Sequence, residues 1–499
     1  MMYENGVLVN RYIANGLENY INCEHNPWHM PGHKRKQVDD SKMSVDMALE
    51  MAMAMDVTEV PGTDDLHHPE GMIRDSLDNL ASVYGTYASY YLVNGSTCGI
   101  LAAISACYRG SNGSSCAKSD SADDCNIIVA RNCHKSVYNA VEILGLKPVY
   151  IYPEWKKSEY VLCEDESEDG DESELPNMMG FINPDDVEKI CSRYKGIRAM
   201  VITSPTYEGV VSDIENISAI LKKYNITLIV DEAHGAHLPF MPCTPKSAIY
   251  CGADIVVQSL HKTLPSLTQT AVLHVMNEGL NDDIRKYLSV FMSSSPSYIF
   301  LCSMERAVAW ASQNYYDSYL NFLKNFRERA SKFNNLKIIG KCDVVSAGAF
   351  DYDETRIVIT AKNNRNITGT YLERRMAELG NIVAEMSGKD YVVLISTAMD
   401  DEDDFDKLYM TLKKLDEEIG SQIQGGEIIT HNEQGEYLSE MDISETDIMN
   451  LVGTKAKDNV YVYPPGSYIL TTGEIITRET AEKLVEYVRA GKKIRGRLK

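Results

Sequence analysis

The chain has 499 residues, of which 44% are hydrophobic and 24% are charged, as in an ordinary globular protein. This composition excludes a fibrous or wholly disordered chain, and the length predicts more than one domain. There are 49 basic and 72 acidic residues, which give a net charge of −23. The averaged field of the protein therefore repels nucleic acid and anionic lipid, and it favours a small cationic ligand.

The sequence has no pattern that directs a chain to a membrane or to an oxidising compartment. It shows neither a signal-peptide pattern nor a window of about 20 apolar residues. Its 12 cysteines include no CxxC pair, which favours reduced thiols over a disulfide framework or a structural zinc site. The nine-residue recurrence of Cys98, Cys107, Cys116 and Cys125 is interpreted as coincidence. We expect a cytoplasmic protein with no metal site.

Residues 1–50 are expected to form an N-terminal arm, and residues 51–305 a large α/β domain. From residue 90 onward, short β-branched runs alternate with helix-like segments, which is typical of βαβ units. The runs at 199–203 and 226–231 are almost continuously apolar, as expected of parallel strands that are buried on both faces. The sequence therefore predicts a doubly wound, mainly parallel sheet flanked by helices.

Residues 306–499 are expected to form a smaller C-terminal α+β domain, because strand-like and helix-like segments follow one another there. Two polar insertions, 111–124 and 163–176, interrupt the large domain, and the second carries eight acidic residues. Both are interpreted as solvated surface loops. A regulatory or cation-binding role for them stays open.

Two residues at successive strand ends indicate a carbonyl cofactor. Lys262 follows the apolar run 253–258, a setting that can lower the pKa of the amine and suit it to Schiff-base formation. Asp231 ends the preceding strand, and a carboxylate there lies on the ligand face of an open α/β sheet. Pyridoxal phosphate requires such a carboxylate beside its pyridine nitrogen. A purely structural role for Lys262 is the alternative.

Two further strand ends supply the remaining parts of such a site. The turn Asn94-Gly-Ser96-Thr97 opens a helix, so its amides and hydroxyls can converge on a phosphate, although a plain helix cap also fits it. His134 opens the next helix, where its ring can stack on a flat cofactor or serve as a cap. The chain has no GxGxxG and no P-loop motif, so a nucleotide is unsupported.

Seven segments resemble the bacterial ornithine/lysine/arginine decarboxylases. They are PGHK at 31–34, DVTEVPGTDDLHHPEG at 56–71, RNCHKS at 131–136, SPTYEG at 204–209, DEAH at 231–234, SLHK at 259–262 and YPPG at 463–466. The segments occur in order over nearly the whole chain, and DDLHHPEG and RNCHKS are specific to that group. The resemblance implies pyridoxal-phosphate enzymes of fold type I, with a large sheet domain and a smaller C-terminal domain.

The resemblance also implies a role for individual residues. Lys262 would be the Schiff-base lysine, Asp231 would hold the pyridine nitrogen, and His134 would stack on the ring. The residues implied around the phosphate are Ser96, Thr97, Ser259, His261 and, from a neighbouring subunit, Ser294. Those expected on the substrate side are Ser293, His234 and Glu474. His261 is also an alternative to Lys262 as the group that returns a proton to the substrate.

The sequence departs from the family pattern in ways that bear on assembly and substrate. The long members begin with a flavodoxin-like domain, whereas PGHK already stands at 31–34 here, so we expect a short form and do not assume their large ring assemblies. The assignment of Ser294 to a neighbouring site requires a dimer, so we expect a homodimer or dimer of dimers. The segment 466–474 differs from the family's Pro-Gly-Glu ending, which puts substrate choice in doubt.

The predicted reaction is decarboxylation of a basic L-amino acid to a polyamine-type amine and carbon dioxide. Arginine or lysine is favoured over ornithine. The alternatives are another pyridoxal-phosphate reaction, such as transamination or a lyase reaction, and a non-catalytic paralogue that acts as a binding or regulatory subunit.

Overall fold

The computed structural model describes residues 3–4, 7–8, 12–22, 52–109, 125–155, 175–313, 316–362, 367–424, 445–462, 467–489 and 494–495. Most of the expected N-terminal arm lies outside the described residues, as do the insertion 111–124 and nearly all of the acidic insertion. The motifs at 31–34 and 463–466 lie outside them too.

The strands alternate with helices along most of the chain. The strands are β1 Tyr3–Glu4, β2 Val7–Leu8, β3 Ala88–Leu92, β4 Asn126–Ala130, β5 Lys147–Ile151, β6 Ile197–Thr203, β7 Val210–Val211, β8 Thr227–Asp231, β9 Ile255–Gln258, β10 Ala271–Val275, β11 Leu336–Ile338, β12 Asp351–Tyr352, β13 Arg356–Ala361, β14 Met386–Ser387, β15 Tyr391–Ile395, β16 Val460–Val462, β17 Ser467–Leu470 and β18 Ile494–Arg495. The α-helices include α1 Tyr12–Asn22, α2 Met72–Tyr84, α3 Gly95–Arg109, α4 Lys135–Leu144, α5 Pro184–Arg193, α6 Ile214–Lys223, α7 Leu260–Thr263, α8 Asn281–Phe291, α9 Tyr298–Ala311, α10 Asp317–Ala330, α11 Lys341–Ser346, α12 Gly369–Gly380, α13 Glu402–Gln424, α14 Glu445–Met449 and α15 Arg478–Arg489.

A seven-stranded sheet in the order β3-β10-β9-β8-β6-β4-β5 forms the centre of the molecule. Strands β9, β8, β6, β4 and β5 are parallel, and β10 is antiparallel to both of its neighbours. All the side chains of β9 and β10 are buried, because helices cover both faces of the sheet. The mainly parallel sheet predicted from the apolar runs is confirmed.

A second, antiparallel sheet in the order β11-β13-β15-β14 has its own core with α10, α12 and α13. A third sheet, β17-β16-β18, packs with α14 and α15 around a separate apolar cluster. This last unit is anchored on the large sheet, since Arg131 Nη2 donates to the Ile469 carbonyl over 2.9 Å. The domain boundaries at residues 50 and 305 stay a prediction.

Two further features concern membrane-spanning helices and cysteine thiols. Among the described residues, no helix is long and apolar enough to cross a membrane. Eight of the described cysteines have free thiols, but Cys125 is disulfide-bonded. The expectation of reduced thiols throughout is therefore wrong at Cys125, which borders the polar insertion 111–124.

His274 is a fully buried titratable group in the central sheet. It lies on β10, where its Nδ1 is 2.8 Å from the Ser89 hydroxyl of β3 and its ring centroid is 4.2 Å from that of Tyr84. Burial lowers the pKa of His274 from 6.5 to about 3. The folded protein therefore keeps this imidazole neutral where the unfolded chain binds a proton.

We expect this difference to make stability pH-dependent. Because the folded pKa is depressed, the contribution of His274 is present above pH 6.5 and is lost as the pH falls toward 3. Between pH 6.5 and about pH 5 the loss is about 1.5 kcal/mol. Urea unfolding of the wild type and of His274→Asn should show their difference in free energy changing by this amount. Parallel pH profiles would contradict the interpretation.

Candidate active site

The candidate site lies at the carboxyl edge of the central sheet, where four parallel strands end. Strand β4 leads to His134, β8 ends at Asp231, and β9 leads through Ser259 to Lys262. The loop after β6 carries Tyr207 to the same edge. Ligands of open α/β sheets bind at this edge because the loops that follow parallel strands converge there.

Lys262 is at the centre of this group. It stands in the single-turn helix α7, and its Nζ is 3.0 Å from His234 Nε2. Burial lowers the pKa of the Lys262 amine, the positive charge of Arg356 lowers it further, and the carboxylate of Asp231 opposes both effects. A lowered pKa increases the fraction of neutral amine, which is the form that attacks a carbonyl carbon.

Two neighbouring carboxylates at the end of β8 face different surroundings. Asp231 is 4% exposed and receives the Ala233 N–H over 3.2 Å; burial raises its pKa, and the charge of Lys262 opposes that rise. Glu232 accepts from the Ser247 hydroxyl, the Ala248 N–H and the Gln258 amide at 2.6 to 2.8 Å. Because these three donors saturate Glu232, it fixes the loop and leaves Asp231 as the carboxylate on the Lys262 side.

His134 is the N-cap of α4, the alternative that the sequence left open for it. Its Nδ1 accepts from the Ser136 N–H over 3.3 Å and lies 3.0 Å from the Ser136 hydroxyl. Burial, followed by the positive charge of Lys262, lowers its pKa to about 4. The ring is therefore neutral at pH 7, which is compatible with a second task as a stacking surface. That second task stays a prediction.

The residues predicted around a phosphate fit an anionic group. Gly95 begins α3 at φ +74°, a conformation that favours glycine, and Ser96 and Thr97 follow it in the first turn. Among the described residues, the buried hydroxyl of Ser259 has no hydrogen-bond partner, which is costly unless a ligand supplies one. His261 Nδ1 lies 2.9 Å from the Thr270 carbonyl. The amide and hydroxyl donors of residues 95–97 and of Ser259 suit pyridoxal phosphate, whose phosphate needs such donors.

The three remaining predicted residues, Ser293, Ser294 and Glu474, have different surroundings. The Ser293 N–H donates to Asn94 over 3.0 Å, so Ser293 stands beside the turn that opens α3 of its own chain. Ser294 is exposed, and its assignment to a neighbouring subunit stays a prediction. Glu474 pairs with Arg131 Nη2 at 3.0 Å and accepts from Thr471, so its charge is already compensated.

Sequence reasoning gave no role to three residues that act on Lys262 or on its neighbour His234. The ring of Tyr207 lies 6.0 Å from Lys262 Nζ and 4.4 Å from the His234 ring. The Glu385 carboxylate raises the pKa of Lys262 by its charge. Arg356 is fully buried and donates to the His234 carbonyl over 2.7 Å. Arg356 could have been found from the sequence, because it opens an otherwise apolar strand. No sequence pattern indicated Glu385.

Arg356 belongs to a buried charge cluster between the large sheet and the antiparallel sheet. Its Nη1 is 3.8 Å from Asp353 Oδ2, which is 3.3 Å from His237 Nε2. Asp353 also accepts the Thr355 hydroxyl over 2.8 Å. Burial favours the neutral form of Asp353, but His237, Arg356 and the Thr355 hydroxyl together lower its pKa. The cluster therefore fixes the loop that carries His234 against the antiparallel sheet.

We expect Arg356→Met to destabilise the protein by about 3 to 5 kcal/mol, because it removes the buried guanidinium beside the Asp353 carboxylate and leaves the His234 carbonyl without its donor. The double variant Arg356→Met/Asp353→Asn should lose less than the sum of the two single variants. The measurement is the free energy of unfolding in a double-mutant cycle. Strict additivity would show that the two charges are not coupled.

A family model described as "Orn/Lys/Arg decarboxylase, major domain" matches residues 13–351, and the chain belongs to this family. Arginine decarboxylase of Bacillus subtilis is 28% identical over 96% of this chain and 94% of its own length. The uncharacterized protein YaaO of the same organism is 30% identical over 95% of this chain and 93% of its own length.

Solved structures show the same fold at lower identity. Lysine decarboxylase of Francisella novicida has a TM-score of 0.71 and 17% sequence identity. The match covers 96% of this chain and 77% of that enzyme. Serine palmitoyltransferase of Sphingomonas wittichii has a TM-score of 0.53 at 12% identity over 78% of this chain and 86% of its own. The family assignment and these folds confirm the predictions of fold type I, of the enzyme class and of pyridoxal phosphate.

Proposed function

We propose that the protein is a cytoplasmic decarboxylase of a basic L-amino acid, with arginine or lysine preferred over ornithine. The observation that carries the proposal is the placement of Lys262 against His234 and Asp231 at the carboxyl edge of the sheet. Membership of a decarboxylase family supports the reaction type. Relatives named arginine decarboxylase, similar over nearly the whole chain, support the preferred substrates.

Each residue of the site has a task in this reaction. Pyridoxal phosphate, when bound, supplies a ring that accepts the electron pair released as carbon dioxide leaves. Lys262 holds the cofactor, Asp231 keeps the pyridine nitrogen protonated, and His134 covers the ring. The phosphate is held by the donors at the start of α3 and by Ser259. After carbon dioxide leaves, Lys262 Nζ or His261 returns a proton to the substrate carbon.

The test of the chemistry is Lys262→Ala, with the exposed Lys324→Ala as matched control. Lys262→Ala should abolish the visible absorption band of the bound cofactor and reduce turnover about 1000-fold or more, since it removes the amine placed beside His234 and Asp231. Lys324→Ala should behave as the wild type. A Lys262→Ala variant that keeps both the band and full turnover would overturn the assignment.

The substrate is tested by product identity. The wild type, given an equimolar mixture of arginine, lysine and ornithine, should form mainly agmatine or cadaverine together with carbon dioxide. Predominant putrescine would reverse the preference. Keto acid in place of carbon dioxide would indicate a transaminase, and tight cofactor binding without turnover would indicate a non-catalytic subunit.

We further propose a homodimer or dimer of dimers in which Ser294 reaches the partner's phosphate site. Mixing inactive Lys262→Ala subunits with Ser294→Ala subunits tests this, because a hybrid dimer then has one site with both lesions and one with neither. Activity should recover toward the level of one intact site per dimer. No recovery in confirmed hybrids would exclude shared sites.

A further inference from the structure

A basic substrate needs a negative charge beyond the reacting centre, because its distal cation loses water on binding. This requirement rests on the proposed function. Glu474, the carboxylate that the sequence suggested, pairs with Arg131 at 3.0 Å and accepts the Thr471 N–H and hydroxyl. Its charge is already paired in anchoring the C-terminal unit, which favours another carboxylate as the partner of the cation.

Two carboxylates raise the pKa of Lys262 through their charge, Asp231 and Glu385. Asp231 is 4% exposed at the end of β8, on the side that suits the cofactor nitrogen. Glu385 is exposed and belongs to the antiparallel sheet, directly before β14. Because attraction between charges weakens with distance and is screened by water, a carboxylate that acts on Lys262 also attracts a cation bound beside it.

Tyr207 connects Glu385 to the reacting centre. Its hydroxyl donates to Glu385 Oε1, while its ring lies 4.4 Å from the His234 ring and 6.0 Å from Lys262 Nζ. The path from Lys262 to Glu385 therefore runs along an aromatic face. Such a face attracts an ammonium or guanidinium group and covers the apolar stem of a basic side chain.

Both partners are held in place by their own surroundings. The neighbouring Glu208 is buried and accepts from the Tyr391 hydroxyl over 2.7 Å, which ties the Tyr207 loop to β15. The Glu385 N–H donates to the Val393 carbonyl of β15 over 3.0 Å. Because one strand fixes both residues, the spacing between Tyr207 and Glu385 is preorganised.

The charge of Glu385 is not compensated by a cation among the described residues. Among the residues that the structure describes, its carboxylate accepts from Tyr207 and forms no ion pair with a lysine or arginine. An exposed carboxylate near the site that pairs with no cation among the described residues is suited to a cation from the substrate.

We propose that Glu385, held by Tyr207, binds the distal cationic group of the substrate and is the residue that selects basic over neutral amino acids. The carboxylate accepts hydrogen bonds from the distal ammonium or guanidinium, and the Tyr207 ring lines the path of the side chain. Neither residue takes part in breaking the bond to the carboxyl group.

The test is Glu385→Gln, which keeps the size of the side chain and the acceptor for Tyr207 but removes the charge. For the preferred basic substrate, KM should rise about 10- to 100-fold with a much smaller change in kcat. The ratio of kcat/KM for arginine over citrulline, or for lysine over norleucine, should fall by a similar factor. Tyr207→Phe should shift both quantities in the same direction by less.

A binding measurement separates recognition from turnover. Calorimetric titration with agmatine or cadaverine, which have the distal cation but no carboxylate to lose, should show weaker affinity for Glu385→Gln by the same factor. The matched control is Glu402→Gln, an exposed glutamate in the first turn of α13 of the same sheet unit, which should leave all these values unchanged.

The outcomes distinguish this inference from the proposed function. A wild type that decarboxylates no basic amino acid refutes the proposed function itself. A wild type that does so, with Glu385→Gln unchanged in KM and in amine affinity, refutes only the role of Glu385. A fall in kcat alone, with unchanged amine affinity and unchanged discrimination, also refutes it, since it would show a structural effect on the reacting centre.

Discussion

The candidate site depends on one constraint, the burial of the Lys262 amine beside Asp231. Desolvation disfavours the charged form of both groups, while their mutual attraction favours it. The balance leaves a lysine that titrates below its ordinary range next to a carboxylate that titrates above its own. Burial also lowers the pKa values of His134 and His234, so neither ring adds a positive charge beside Lys262 at neutral pH.

The antiparallel sheet fixes the residues around Lys262 as directly as the large sheet does. Arg356 opens β13, yet it donates to the His234 carbonyl of the large sheet, and Asp353 beside it meets His237. A buried guanidinium needs several acceptors in a fixed arrangement, so the two sheets cannot shift relative to each other without exposing an unpaired charge. The position of His234, and through it that of Lys262, is thus set from both sides of the cleft.

The sequence predicted the site residues on the large sheet, because the ends of buried strands can be recognised in a sequence. Apolar runs located the strands that lead to His134, Asp231 and Lys262, and the rule that ligands bind at their carboxyl edge placed these residues together. The fold class was predictable for the same reason. The pairing of Glu474 with Arg131 was not, because the two residues are 343 positions apart and nothing local to either one indicates the other.

The site residues that were not predicted from the sequence were missed for one physical reason. Tyr207, Glu385 and Arg356 reach the site from a loop and from the antiparallel sheet, whose placement depends on tertiary contacts such as that of Glu208 with Tyr391. Chemistry common to many pyridoxal-phosphate enzymes resides on the parallel strands, which constrain sequence strongly. Recognition of the distal part of the substrate falls to the second sheet, where one exposed carboxylate among 72 acidic residues has no local signature. The cofactor was therefore readable from strand ends, and the reaction class came from the resemblance to the decarboxylase family. The proposed recognition of the distal substrate group required the three-dimensional structure.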